Sequence, residues 1–517
     1  MPELQTPVDG KLLPLKAALD LNRALAAAAV RFCHWKSNDH LAEALAGKTD
    51  IDMFVAPADR QMFEDVLARQ GIVKIRSQPW ASYPDVEDWL AFDAVTGSLL
   101  HLHVHYALIT GLKRVKHLLI PWQEILLCNL RIDGASGWPV PAAEMELIML
   151  LVRIWAKMPP QRRLFAARIP PQIVKELNWL RASADAARVA QLMSELGLAA
   201  ETPLVTAILE RQALHMRDIV PVSQVLYGKL REHRRMSWSK ALGLAVLRNG
   251  CMIVGQAGRK LQRPWQTGKT IPQGGLMIAF VGTDGAGKST VTRDVCKWLR
   301  FKLDVHLVYM GSGDGGTGLF DWMRRGIRAV VQAAQPARRR GRTRKSAGRP
   351  RPLGFLVRLV ELHQLAVMRH KIKLLRLSRR LAQRGSIVIT DRYPQKQVFG
   401  ISDGPKLQNG SGFDWAARLE LRMYDEAAEL GPDVLIKLMT DPETAFRRKP
   451  DHDPDTISRK CEVISQLSFA RCEVVEIDAR PPYDEVLLAA KRAIWSRLIH
   501  NSDCSSSRQM RASGPGM

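Results

Sequence analysis

The sequence predicts an α/β protein: a parallel sheet with helices on both faces in the carboxy-terminal half, preceded by an α+β domain and a helical segment. Three observations predict it. Five apolar, strand-like runs alternate with helical stretches between residues 276 and 499, which is the pattern of a parallel sheet. Residues 136–260 carry helix patterning almost throughout. Residues 1–135 mix short strands, a hairpin and helices.

The amino-terminal part sets out its elements in order. Leu19–Val30 is rich in Ala and Leu and predicts a helix; Asp50–Val55 predicts a short strand. Trp89–Ala94 and Leu99–Tyr106 flank Val95-Thr96-Gly97-Ser98, a hairpin signature. Glu144–Met158 is dominated by Leu, Ile, Met and Trp, which predicts a buried helix, and Pro159-Pro160 stops it because proline cannot continue a helix. Residues 261–275 read as a linker punctuated by Pro264, Gly268, Pro272, Gly274 and Gly275. Beyond it, strands are expected at Met277–Val281, Val305–Met310, Ser386–Thr390, Val434–Met439 and Glu473–Ile477. A basic insert at 336–352, with eight Arg or Lys residues and no acid, and the tail at 500–517 have too few apolar residues to order themselves.

Composition narrows the classes further. The chain has 517 residues, 46% of them hydrophobic and 25% charged, which excludes a wholly disordered or collagen-like protein. The seven cysteines form no CxxC pair, which argues against a zinc ribbon or disulfide framework and suits a reducing cytoplasm. No secretory signal and no run of about 18 apolar residues is visible, so a cytoplasmic location is expected. A net charge of +25 favours polyanionic partners. Those are phosphates, nucleic acid, or an anionic membrane surface met peripherally through the basic insert. No aromatic-interleaved platform or recognition helix marks a nucleic-acid reader. A homodimer is compatible with the sequence.

The strongest local signal is Gly282-Thr283-Asp284-Gly285-Ala286-Gly287-Lys288-Ser289, followed by Thr290. It fits G-x-x-x-x-G-K-[ST] between a strand and a helix, the P-loop context. Glycines let backbone N–H groups converge on phosphate oxygens, and the helix N-terminus adds partial positive charge. Lys288 is suited to the β- and γ-phosphates of ATP, and Ser289 to Mg²⁺. A second cluster, Asp391-Arg392, stands at the end of an apolar strand, where open α/β sheets bind ligands. Asp391 suits either the magnesium shell or orientation of the acceptor; the planar fork of Arg392 suits an acceptor phosphate. A third, Arg447-Arg448-Lys449 with Arg459 and Lys460 further on, could close over a transferring phosphoryl group. Gly311–Gly316 also fits G-x-G-x-x-G, but no acidic residue follows at about twenty positions as a dinucleotide site requires.

In that order, FVGTDGAGKST, ITDRYP and PDVLIKLMTDPETAFRRK resemble a thymidylate kinase-type nucleoside monophosphate kinase over roughly 276–495. The resemblance implies a donor loop at Asp284, Lys288, Ser289 and Thr290 and catalytic roles for Lys288, Asp391 and Arg392. It implies a lid at Arg447 and Arg448, and an acceptor contact near Arg369. The sequence departs from that family where Val281 stands for its usual Glu and where Gln395–Phe399 replaces its acceptor motif. Expected cofactors are ATP and Mg²⁺, and the expected partner is a phosphate-bearing small molecule, dTMP by analogy or another nucleotide or sugar-like acceptor. A nucleotide-regulated binding or assembly protein is the alternative.

The amino-terminal run His34–Asn38 and Gly47–Val55 resembles a nucleotidyltransferase-like domain, with Asp50 and Asp52 about 7 Å apart along one strand face. Two such carboxylates suit Mg²⁺, which adds nucleotidyl transfer as a further alternative. The third acid of that family is replaced by His101, His103 and His105 on one strand face, with Asp93 the nearest carboxylate by sequence. Up to about Met158 the chain also looks like bacterial proteins found with polysaccharide-synthesis kinases.

Overall fold

The computed structural model describes residues 12–159, 170–260, 265–310, 354–407 and 414–512. The basic insert at 336–352 and the Gly311–Gly316 motif lie outside the described residues. The chain divides into two compact units, one of Met1–Pro272 with Phe301–Asp304 and Ile499–Met517, the other of Gln273–Arg300 with Val305–Leu498.

The first unit holds a mixed sheet of β1 (Phe32–His34), β2 (Ile51–Val55), β3 (Val73–Ile75), β4 (Val86–Phe92) and β5 (Leu99–His105), in the order β1-β2-β5-β4-β3. Only β2 and β5 run parallel; the other pairs are antiparallel. One face packs against the helices Lys16–Ala27 and Arg60–Arg69 through Leu21, Leu25, Phe63 and Leu67, all buried with the inward side chains of the strands. The β4–β5 hairpin closes on Asp93. Its Oδ1 accepts from the amides of Val95 and Thr96, and its Oδ2 from the amide of Ala17. Asp93 therefore builds a turn and does not supply the third acid.

Two ribbons follow, β6 (Ile109–Thr110) with β7 (Leu118–Leu119) and β8 (Leu130–Ile132) with β9 (Pro139–Pro141). The helix Ala143–Lys157 is buried nearly all round, as its apolar composition requires. Pro171–Arg181, Ala186–Glu195, Thr202–Glu210 and Met216–Lys229 contribute to the same apolar core. The helix Trp238–Lys260 comes next, and no helix among the described residues is long and apolar enough to cross a membrane. The segment expected as a linker is partly stitched to this unit: Thr270 exchanges both backbone hydrogen bonds with Arg76, at 2.7 and 2.9 Å, just beyond β3.

The second unit is a parallel sheet of β10 (Met277–Gly282), β11 (Val305–Tyr309), β12 (Ile387–Asp391), β13 (Val434–Met439) and β14 (Glu473–Asp478). Its order is β11-β12-β10-β13-β14. Central strands buried on both faces read as unbroken apolar runs rather than alternating ones, which is why they were visible in the sequence. Met277, Ala279 and Val281 pack against Met368, Ile372 and Leu375 of the helix Gly354–Gln383. Ile278 and Phe280, pointing the other way, are equally buried. The last helix, Tyr483–Ala512, runs through most of the tail expected to be disordered. Once a helix is nucleated, each added residue costs little, so a polar extension can propagate from an anchored start.

Candidate active site

All five strands of the second unit end at the same edge, and β10 is central, with β12 on one side and β13 on the other. The loop after β10 is therefore delivered beside the C-terminal end of β12, a ligand-binding position in open α/β sheets. The loop needs its glycines. Gly285 sits at φ +91°, and a Cβ there would lie 2.5 Å from the Ala445 carbonyl oxygen. Gly287, at φ +84°, precedes the helix Lys288–Leu299. Gly285→Ala should cost about 1–2 kcal/mol of stability, because an added Cβ fits neither the left-handed backbone nor the approach to Ala445. A thermal melt would check it.

Lys288 is buried, and its ammonium donates to the Thr283 carbonyl at 2.5 Å. Burial and the nearby Arg392 guanidinium lower its pKa to about 8, against the opposing pull of Asp284. Asp284 pairs with Lys460 at 2.6 Å and with Arg392 at 3.6 Å. These cations and Lys288 hold its carboxyl at about 2 although burial alone would raise it. The Ser289 hydroxyl donates to Asp391 Oδ2 at 3.0 Å, while the buried Oδ1 of Asp391 has no hydrogen-bond partner. A hydroxyl beside a carboxylate with a spare buried oxygen is an all-oxygen donor set that suits a hard divalent cation such as Mg²⁺.

Arg392 adopts φ +76°, a conformation rarely taken by a non-glycine residue and concentrated at functional sites. Its amide is held by the Phe280 carbonyl at 3.0 Å, and its guanidinium lies 3.5 Å from Asp403. Asp403 in turn pairs with buried Lys371 at 2.9 Å. Together these groups line a cavity of about 420 Å³. Thr283, Asp284 and Lys288 stand on the loop side, Arg459 and Lys460 come from the helix Pro454–Gln466, and Gln364, Met368 and Lys371 come from the long helix Gly354–Gln383. Tyr393, Tyr424 and Phe469 add aromatic wall. The volume falls in the usual range for small-molecule sites, and cations outnumber acids in the lining six to three.

The structure brings Thr283, Asp284, Lys288, Ser289, Asp391 and Arg392 together. It does not bring Arg447 and Arg448 to the cavity. Arg448 donates to the Ala479 carbonyl at 2.9 Å, and neither residue is in the lining. Arg369 is exposed on the far side of its helix, while Gln364, Met368 and Lys371, spaced at about one helical turn, face the cavity. That spacing was available as a signal; the distance to Asp391 alone misled. Asp403, Glu420 and Tyr424 had no local motif to mark them. Gln395, in the segment that departs from the kinase pattern, is a scaffold: its side chain bonds the Val398 and Ile401 carbonyls and the Val398 amide.

In the first unit, Asp50 and Asp52 share a face but each meets its own cation. Asp50 lies 2.9 Å from His101 Nδ1 and pairs with Lys302. Asp52 lies 2.7 Å from the buried Lys36 ammonium, which holds its carboxyl at about 2 although burial alone would raise it. The acid opposite the histidines is Asp88 on β4, whose Oδ1 reaches His101 Nε2 at 3.1 Å and His103 Nδ1 at 2.9 Å. The hairpin register, with Asp88 across from His103, decides this; counting along the sequence had favoured Asp93. Asp52, His103 and His105 offer atoms within 4.8 Å of one another.

No family model matches the chain. It is 35% identical over 231 residues to "Uncharacterized ATP-binding protein YghS" of Escherichia coli (strain K12), covering 43% of this chain and 93% of that protein. It is 33% identical over 231 residues to "Uncharacterized ATP-binding protein YghR" of the same strain, covering 42% and 86%. A solved deoxyadenosine kinase from M. mycoides with dCMP and dCDP overlaps 43% of this chain and all of its own, at 14% identity and a TM-score of 0.26, too slight a likeness to carry an argument.

Proposed function

This chain belongs to the family of the ATP-binding proteins YghS and YghR, and we propose that its second unit is an ATP-dependent phosphotransferase. In this reading it moves the γ-phosphoryl group of ATP to a phosphate-bearing acceptor. The observation that carries the proposal is a single cavity with the phosphate loop at one side and Arg392 and Lys371 at another. Holding ATP alone would not call for further cations on another side of the same cavity. The family name supports the donor, and the resemblance to thymidylate kinase supports an acceptor of nucleotide or sugar-phosphate type, with dTMP the default by analogy.

The residues divide the work as follows. Backbone amides at 283–290 and the helix N-terminus hold the triphosphate. Lys288 leaves the Thr283 carbonyl for the β- and γ-oxygens. Ser289 and Asp391 would hold Mg²⁺, which supplies charge neutralisation at the bridging phosphate oxygens. Arg392, tied to Asp403, fixes the acceptor phosphate, and Lys371 adds charge behind it. Arg459 and Lys460, rather than Arg447 and Arg448, take the lid role over the transferring group. Transfer is direct, driven by positioning and charge rather than by a covalent intermediate. We assign no nucleotidyl transfer to the first unit, because Asp50 and Asp52 are each already met by a cation.

The deciding experiment is acceptor-dependent ADP release over dTMP, other nucleoside monophosphates and sugar phosphates with Mg-ATP. Turnover with one class supports the proposal; ATP binding with no turnover on any acceptor would favour the nucleotide-regulated binding protein. A pH dependence follows from Lys288. ATP needs the ammonium form, so affinity is full below about pH 8 and falls up to about tenfold per unit above it. Calorimetry above pH 8 should show proton uptake on binding, read from the dependence of the heat on buffer ionisation. Proton release, or affinity flat to pH 9.5, would contradict this role for Lys288.

A further inference from the structure

The first unit contains a second cationic recess, separate from the site above. Its base is Arg153, on the buried helix Ala143–Lys157, with only 4% of its surface exposed. A buried guanidinium normally spends its N–H groups on hydrogen bonds. Arg153 does not: Nε and Nη1 have no hydrogen-bond partner, and Nη2 reaches only the Ser37 hydroxyl at 3.4 Å. The nearest acid, Glu176, stays 3.7 Å away, and its Oε1 is likewise without a hydrogen bond. Arg153 lines a cavity of about 560 Å³.

Further cations converge on the same place. Lys157, one turn along the helix, and Lys48 also line the cavity. The charge of Arg153, with Lys36 and Lys116 adding to it, pushes the Lys157 pKa well down. Lys116 is lowered to about 7 by burial, with Lys36 adding to it. Like charges gathered this closely destabilise a protein unless something of opposite sign meets them. The acids at hand are few: Glu176, also in the lining, stands 3.7 Å from Arg153, Asp52 is matched by Lys36, Glu43 lies 2.7 Å from His40, and burial lifts Glu146 to about 7. The same balance argues against a metal ion at Asp52, His103 and His105. A dication there would face the Lys36 ammonium, 2.7 Å from Asp52, and the cations behind it.

We propose that this cavity binds the phosphate or diphosphate group of a small molecule, gripped by Arg153 and Lys157 without a metal ion. The free N–H edge of Arg153 takes two phosphate oxygens, and Lys157 closes on the group from the rim. The remaining volume leaves room for the body of a sugar or nucleoside.

The test uses the full chain carrying Lys288→Ala, so that the phosphate loop of the second unit is weakened, in buffer with EDTA. Pyrophosphate, inorganic phosphate, glucose 1-phosphate and AMP are titrated separately by calorimetry, which distinguishes a free anion from a sugar or nucleoside ester. Saturable uptake of at least one is expected. Adding Lys157→Ala should weaken it at least about fivefold, and Lys157→Arg should restore it. Lys157 is exposed, so the variant folds; Arg153→Lys, checked by thermal melt, should weaken it more than about tenfold through loss of the fork. Uptake that is absent, that requires Mg²⁺, or that is unchanged by Lys157→Ala overturns the proposal.

Discussion

Lys288→Ala lowers acceptor-dependent ADP release by about a hundredfold to a thousandfold, the usual effect of removing a group that meets charge developing in the transition state. The fold does not suffer with it. The Lys288 ammonium is buried and its pKa is depressed to about 8, so it opposes folding below pH 8, and that penalty fades as pH rises through 8 toward the unfolded value. At pH 7 the variant should therefore melt at the same temperature as the parent or slightly higher. What it loses is the rise in melting temperature that Mg-ATP confers by mass action. Paired melts with and without nucleotide, beside a steady-state assay, separate these quantities. Turnover within threefold of the parent would remove Lys288 from the chemistry.

The largest stability effect is expected at Lys437. It projects from β13 with 2% exposure, and its ammonium donates to the carbonyls of Ser465 and Leu467 at 3.2 Å each and to Glu476 at 2.7 Å. Those carbonyls close the helix Pro454–Gln466, which carries Arg459 and Lys460 to the cavity. Lys437→Met keeps the apolar stem and leaves three acceptors without their donor. The cost is about 2–4 kcal/mol, or a fall in melting temperature of about 5–15 °C. ADP release should fall too, because the displaced helix holds two cavity cations. Glu476→Gln is the control: its carboxylate is more than half exposed, and the change should cost under about 1 kcal/mol. If both variants melt alike, the two carbonyls contribute little.

Much of the second unit was legible beforehand because parallel strands are buried on both faces. Met277–Val281 and Val434–Met439 are continuous apolar runs, and G-x-x-x-x-G-K-S between strand and helix is dictated by phosphate geometry. The cavity's far wall was not legible. Asp403 and Lys371 are 32 residues apart and meet only once the long helix and the loop after β12 are in place. Arg447 and Arg448, expected as the lid, stay out of the cavity lining for a related reason. Arg447 and Arg448 and the pair Arg459 and Lys460 are equally basic in sequence, and only the turn between their helices decides which pair faces inward. In the first unit, the choice between Asp88 and Asp93 depended on hairpin register, which a one-residue slip would reverse. The tail was misjudged because composition reports how much apolar surface a segment can bury and says little about extending a helix already begun.

The pairing of Thr270 with Arg76 bears on how the protein can be cut apart. A fragment ending anywhere in 261–269 would strip a covering bond pair from the rim of the β3 side and bare unpaired amide and carbonyl groups, the kind of border along which chains adhere to one another. Severing after Pro272 keeps that border sealed, so the residues of 261–275 are not interchangeable as a cutting point: Thr270 is part of the first unit's backbone pairing, and Phe301–Asp304, further along the chain, belongs to that unit as well.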